Sequence, residues 1–168
     1  MLKLLILKLT LCALGSGLIA NACFAQNYTS WAVGAETSID VEHEPGIVMM
    51  GGAGEMPEAM VWFLERAAGG DILVLRASGS DAYNDYLFSD LGVIVNRVET
   101  IRFNNPNASD DEYILNRISE AESIWLAGGD QHNYVQFWKG TPIDDARKLF
   151  FELTHPKLFG ELLELATA

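Results

Sequence analysis

The residues best placed to do chemistry are Gly128-Gly129-Asp130-Gln131, which close the apolar run Ile124–Ala127. Glycines at such a corner let backbone N–H groups approach a ligand or an oxyanion with no Cβ in the way. The plainer alternative is that a tight strand-to-helix turn needs glycine in any case. Two other stretches repeat the pattern: Gly51-Gly52-Ala53-Gly54 after Gly46–Met50, and Ala77-Ser78-Gly79-Ser80 after Asp71–Arg76. A dinucleotide fingerprint would need a glycine three places after Gly54, where Pro57 stands, so that reading fails. Ser78 and Ser80 are outside any G-x-S-x-G elbow, the turn that lifts a nucleophile above a sheet. They read as turn residues, a helix cap or ligand hydrogen-bonders. His43, His132 and His155 have no metal-ligand spacing, and only His132 adjoins the glycine corner. No metal site and no cofactor is expected.

These corners need elements to hold them. Gly46–Met50, Asp71–Arg76, Val95–Phe103 and Ser123–Ala127 read as strands. Glu55–Ala68 carries Met56, Met60, Phe63, Leu64 and Ala67 at helical spacing and stops at Gly69-Gly70. Asp81–Leu91 is a second helix. Asp110–Ala121 is a third, with Ser109 as its cap and Glu112 at capping-box distance. An aromatic-bearing helix follows Gln131, and Thr141-Pro142 with Asp144 and Asp145 opens the last one. Trp62, Trp125, Phe137 and Trp138 read as core, and Glu65-Arg66 and Asp144-Asp145 as solvated faces. Strands alternating with helices predict an α/β fold with a parallel sheet covered on both faces. Ligands in such folds sit beyond the carboxyl ends of the strands, so Gly51, Gly52, Ser78, Ser80 and the Gly128–Gln131 corner are expected to share one edge.

Residues 1–25 are of another kind. Lys3 and Lys8 precede an apolar or small stretch, Leu9–Ala22, and Ala20-Asn21-Ala22 and Cys23-Phe24-Ala25 both resemble cleavage sites. The segment reads as a secretory signal peptide rather than a membrane anchor, since Gly15, Ser16, Gly17 and Asn21 interrupt it. Both cysteines, Cys12 and Cys23, lie in it, so the chain from Gln26 has neither disulfide nor thiolate nucleophile. Removing Lys3 and Lys8 leaves 9 basic against 23 acidic residues, a net charge of −14. Nucleic acid is excluded as a partner, because neutralising phosphates needs a basic face. Export to the periplasm or exterior of a bacterium, with no membrane span after cleavage, is the expectation. Residues 26–44 read as a polar lead-in.

"WFLERAAGGDILVLRASGSDAYNDYLF" and "IWLAGGDQHNYVQFWKGTPIDDA" together resemble exported cyanophycinase-like proteins. These are serine peptidases of the dipeptidase E type, within the class I glutamine-amidotransferase-like fold. The resemblance runs from Pro45 to Ala146. It implies a three-layer flavodoxin-like parallel sheet, of which this would be the N-terminal half. It also implies hydrolysis of peptide or isopeptide bonds in aspartate- and arginine-containing substrates. By resemblance Gly128, Gly129, Asp130 and Gln131 form the oxyanion and substrate side of the cleft, faced by Gly51 and Gly52.

The departure from the family falls after Ala146. There the family continues into a buried strand and G-T-S-A-G, whose serine is the nucleophile. Residues 147–168 read "RKLFFELTHPKLFGELLELATA", and no serine follows Ser123. The expectation is therefore a truncated or frameshifted member with a divergent tail, no catalytic residue and no peptidase activity. Self-association through the helix Ile143–Leu153 is one way to hide the bared sheet edge. A non-catalytic module binding a small anionic or amide ligand at the glycine-lined edge is the alternative. An amidotransferase domain ranks below both, for want of a cysteine.

Overall fold

The computed structural model describes residues 26–51 and 54–154. The signal segment with both cysteines, Gly52 with Ala53, and residues 155–168 with His155 lie outside the described residues. Four strands form one open, mixed sheet in the order β1-β3-β2-β4. The strands are β1 (Tyr28–Gly34), β2 (Asp71–Arg76), β3 (Arg97–Phe103) and β4 (Ser123–Leu126). β2 pairs in parallel with β3 on one side, Leu73 opposite Glu99, and with β4 on the other, Val74 opposite Trp125. β1 runs antiparallel along the outer side of β3, Trp31 opposite Thr100.

The α/β class and the helical covering of both faces are as the sequence implies. Two strands differ. The stretch read as a polar lead-in contains β1, whose Tyr28, Thr29, Trp31 and Val33 suit a half-buried pleated surface. β1 makes the sheet mixed rather than parallel. Conversely, Gly46–Met50 is not a strand. Both edges of β2 are occupied by β3 and β4, and this run pairs with no described strand. It lies extended instead, with Val48 and Met50 packed on the core and Ile47 and Met49 turned outward.

Alternation along β2 sends successive side chains to opposite layers. Ile72 and Val74 join Met60, Phe63 and Leu64 of α1 (Pro57–Arg66) and Leu87 in one core. Leu87 belongs to a π-turn, Tyr86–Asp90, that continues the short helix α2 (Tyr83–Asp85). Leu73 and Leu75 join Ile114 and Ile118 of α3 (Glu112–Glu120), Trp138 of α4 (Gln131–Trp138) and Ile143 of α5 (Pro142–Thr154) in the other. The buried amide on the first face, Asn84, is satisfied: it accepts from Thr100 Oγ1 at 2.6 Å and donates to the Trp31 carbonyl at 3.0 Å.

Caps also differ from expectation in one place. Ser109 does not cap α3. Its residue is buried in a 3-10 turn, Pro106–Asp110, and its hydroxyl donates to the Phe137 carbonyl at 2.5 Å, tying that turn to α4. The cap is Asp111, whose carboxylate accepts the Tyr113 N–H at 3.0 Å. Trp138 is core as expected, but Trp62 stands exposed with the Arg66 guanidinium 4.0 Å above its ring.

At the amino end of the sheet, opposite the glycine corners, the fully buried Glu99 and Asp71 meet Arg117 of α3. Arg117 bonds Glu99 at 3.0 Å and Asp71 at 3.4 Å, and Arg97 reaches Glu99 at 3.1 Å. The same end holds the chain after β1: Asn96 and Arg97 donate to the Thr37 and Ala35 carbonyls, and Glu122 accepts the Val41 N–H.

Candidate functional site

β2 and β4 are parallel neighbours, so the turns after them emerge side by side at the carboxyl edge. Each turn is fixed by local bonds. After β2, the Arg76 guanidinium takes the Ser78 carbonyl and, at 2.6 Å, the Ser80 carbonyl, while Arg102 takes that of Gly79 at 2.9 Å. Gly79 sits at φ +89°, a conformation that side-chain-bearing residues rarely adopt, and a Cβ there would run into Arg76. The turn is thus knit to two arginines by its own carbonyls.

After β4, Asp130 is the N-cap of α4, its carboxylate accepting the His132 N–H at 2.9 Å. Its charge is spent on the helix terminus. The Tyr134 hydroxyl donates to the Ala127 carbonyl at 2.6 Å and pins the first turn of α4 back onto the end of β4; burial raises its pKa. Gly129 is a glycine for reasons of space, since a Cβ would stand 3.1 Å from the Tyr134 ring and 3.3 Å from the Ser78 hydroxyl oxygen. Gly128 differs: a Cβ there would meet nothing within 4 Å. It faces open space.

That space is a cleft of about 1110 Å³. Gly51 and Gly54 from one turn and Gly128, Gly129 and Gln131 from the other line it together. A smaller hollow of about 430 Å³ lies on the α4–α5 side, so Gly128 and Gly129 form the ridge between the two. Ser78 and Ser80 stand beside the large cleft, Ser78 with its hydroxyl against Gly129, and are absent from its wall. His132 is exposed and likewise off the wall. Gly52 lies outside the described residues.

Sequence reasoning missed several residues of the wall. Glu122, Glu55, Tyr83 and Arg147 all line it, and so does Trp125, read as core. Tyr83 donates to Glu55 and packs 6.3 Å from Trp125. Burial raises the Tyr83 pKa, and its hydrogen bond to Glu55 adds to that. Only Glu55 carried a usable signal, as the acid directly after the first glycine turn. The others arrive through long-range packing. Among the described residues no cluster of His, Cys, Asp and Glu could hold a metal ion, and no helix is long and apolar enough to cross a membrane.

Chemically the cleft offers an unobstructed glycine corner, one amide side chain and an apolar floor. Among the described residues, no hydrogen bond joins a serine of its wall to a histidine or carboxylate; its one hydroxyl–carboxylate pair is Tyr83 with Glu55. No family model and no curated protein matches the chain.

Proposed function

We propose that this chain carries the substrate-side corner of a cyanophycinase-like hydrolase cleft, on part of a flavodoxin-like domain, and binds a peptide-like ligand there without cleaving it. The observation that carries the reading is the convergence of Gly51, Gly54, Gly128, Gly129 and Gln131 on one cleft at the carboxyl edge of the sheet. Parallel β3-β2-β4 order with helices on both faces supports the fold-level part. Backbone N–H groups at such a corner stabilise charge on a carbonyl oxygen. Hydrolysis would need an activated nucleophile as well, and Ser78 and Ser80, the serines of the turn beside the corner, are not among the residues of the cleft wall. The proposal includes export, on the charge and apolar pattern of residues 1–25.

Titration calorimetry with an aspartyl-arginine dipeptide tests the reading, alongside an assay for released arginine. Binding with no arginine release is the expected result. Gly128→Val places its Cβ where nothing stands within 4 Å, so it should leave the melting temperature unchanged and weaken the dipeptide by at least about tenfold. Equal affinity in the variant would sink the corner as the site, and turnover by the wild type would sink the non-catalytic part.

A further inference from the structure

The smaller hollow, about 430 Å³ beside the glycine ridge, has a wall of two kinds. Part of it is apolar and open. Leu126 at the end of β4 and Val135 of α4 are 45 % and 55 % exposed, and both line it. Large apolar side chains that stay exposed together in a concave place mark a binding surface, as scattered ones do not. The rings of Tyr134 and Trp138, packed edge to face with centroids 4.5 Å apart, belong to the same wall.

The other part holds donors without acceptors. Trp138 is only 4 % exposed, yet among the described residues none accepts a hydrogen bond from its indole Nε1. Arg147 Nε, buried on the same wall, has no acceptor among them either. The Arg147 guanidinium carbon lies 5.3 Å from the centre of the Trp138 ring, so the two nitrogens belong to adjoining stretches of wall. Buried donors left unanswered are costly, and each one in a native fold calls for an occupant. Charge points the same way. The chain carries 23 acidic against 11 basic residues, but here Lys139 and Arg147 stand against a single carboxylate, Asp144. That carboxylate is already engaged by the Gly140 N–H at 3.3 Å and by Arg147 and Lys148 at 3.0 Å each. The hollow is a cationic spot on an acidic protein, which favours an anion.

We infer that the smaller hollow binds a carboxylate carried on a short apolar body. The two oxygens of a carboxylate answer two N–H donors together, and its charge strengthens both bonds. The apolar body covers Leu126, Val135 and the two rings, which a bare ion would leave wet. Phosphate fits less well, because its second charge and further oxygens would face apolar wall. The same carboxylate chemistry is found in a free organic acid and at the end of a peptide. The inference does not rest on the dipeptide reading, since Trp138 lines this hollow and is not on the wall of the large cleft.

The test follows the tryptophan indole signals of the isotope-labelled full chain by nuclear magnetic resonance, with the Trp138 signal assigned through bonds. Hydrocinnamate should move that signal saturably and slow its hydrogen exchange. Hydrocinnamamide, the same body without the charge, should bind at least about tenfold more weakly. Arg147→Met keeps the stem and leaves Lys148 paired with Asp144. It should hold the melting temperature and weaken hydrocinnamate about fivefold or more. Acetyl-alanyl-phenylalanine with a free carboxylate tests the second source. Tighter binding than hydrocinnamate assigns the site to a peptide end and weaker binding to a free acid, and either supports a carboxylate site. Equal binding of acid and amide, a Trp138 signal that stays in place, or inorganic phosphate moving it as readily as the acid overturns the inference. So does a long-lived water seen beside the Trp138 indole N–H that persists at saturating acid, since trapped water would then be the acceptor.

Discussion

At Glu122 both carboxylate oxygens face backbone amides, that of Asp71 at 2.5 Å and that of Val41 at 3.4 Å. The carboxylate fills the place a Gly70 Cβ would take, which is why Gly70 has no side chain although Gly69 alone, at φ +84°, would end α1. Burial raises the Glu122 pKa above its ordinary 4.5; the two amide bonds oppose this and the Asp71 carboxylate adds to it. A carboxyl whose folded pKa is raised binds its proton more tightly in the native state. Its contribution to stability is therefore largest below the ordinary value and is lost as pH rises from about 4.5 through the folded pKa. Glu122→Gln removes that component. Urea midpoints measured from pH 4 to 7 should fall more steeply with pH in the wild type than in the variant, and parallel curves would contradict the assignment. Nothing in the sequence marks Glu122, because its environment comes from Asp71 and Val41, distant in the chain.

Elements show a sharper division between what can be read in advance and what cannot. β2, β3 and β4 each carry a concentrated apolar signal, and the glycines after β2 and β4 mark their ends. β1 does not stand out, because its strand-forming residues at 28–33 run into a polar stretch at 36–44 that dilutes the pattern. Gly46–Met50 has the opposite fault. Its composition and alternation are those of a strand, yet pairing also needs a partner edge in reach and in register, and that is a property of the assembled sheet. The candidate site divides the same way: the glycines were legible as corners, but their joining of one cleft, and the side step of Ser78 and Ser80, depended on sheet order. α3 offers an element-scale prediction. It docks through Ile114 and Ile118 and through Arg117, which stands between two fully buried carboxylates. Its guanidinium loses solvation there, but Glu99 and Asp71 outweigh that loss and hold its charge. Arg117→Met keeps the stem and strands Glu99 and Asp71, so it should cost about 3–5 kcal/mol in urea unfolding, mostly from the abandoned charges. A loss below about 1 kcal/mol, typical of surface pairs, would show that Arg97 suffices for Glu99.

For the whole molecule, the telling feature is that both cores share one strand. Ile72 and Val74 belong to the face under α1, Leu73 and Leu75 to the face under α3, α4 and α5, and all four are fully buried. Removing either layer would expose half of β2 to water while its ladder to β3 and β4 remained, an arrangement that forfeits apolar burial without releasing the ordered backbone. The layers should therefore melt together, even though β4 ends the sheet among the described residues. Leu64→Ala in one core and Ile118→Ala in the other should each destabilise the protein by about 2–5 kcal/mol. Both should shift a single urea transition, coincident when followed by far-UV circular dichroism and by hydrogen exchange at the α1 and α3 amides. Should Leu64→Ala melt α1 at lower urea than α3, the two faces would be separate folding units, and the cleft between α1 and β4 could open without unfolding the rest.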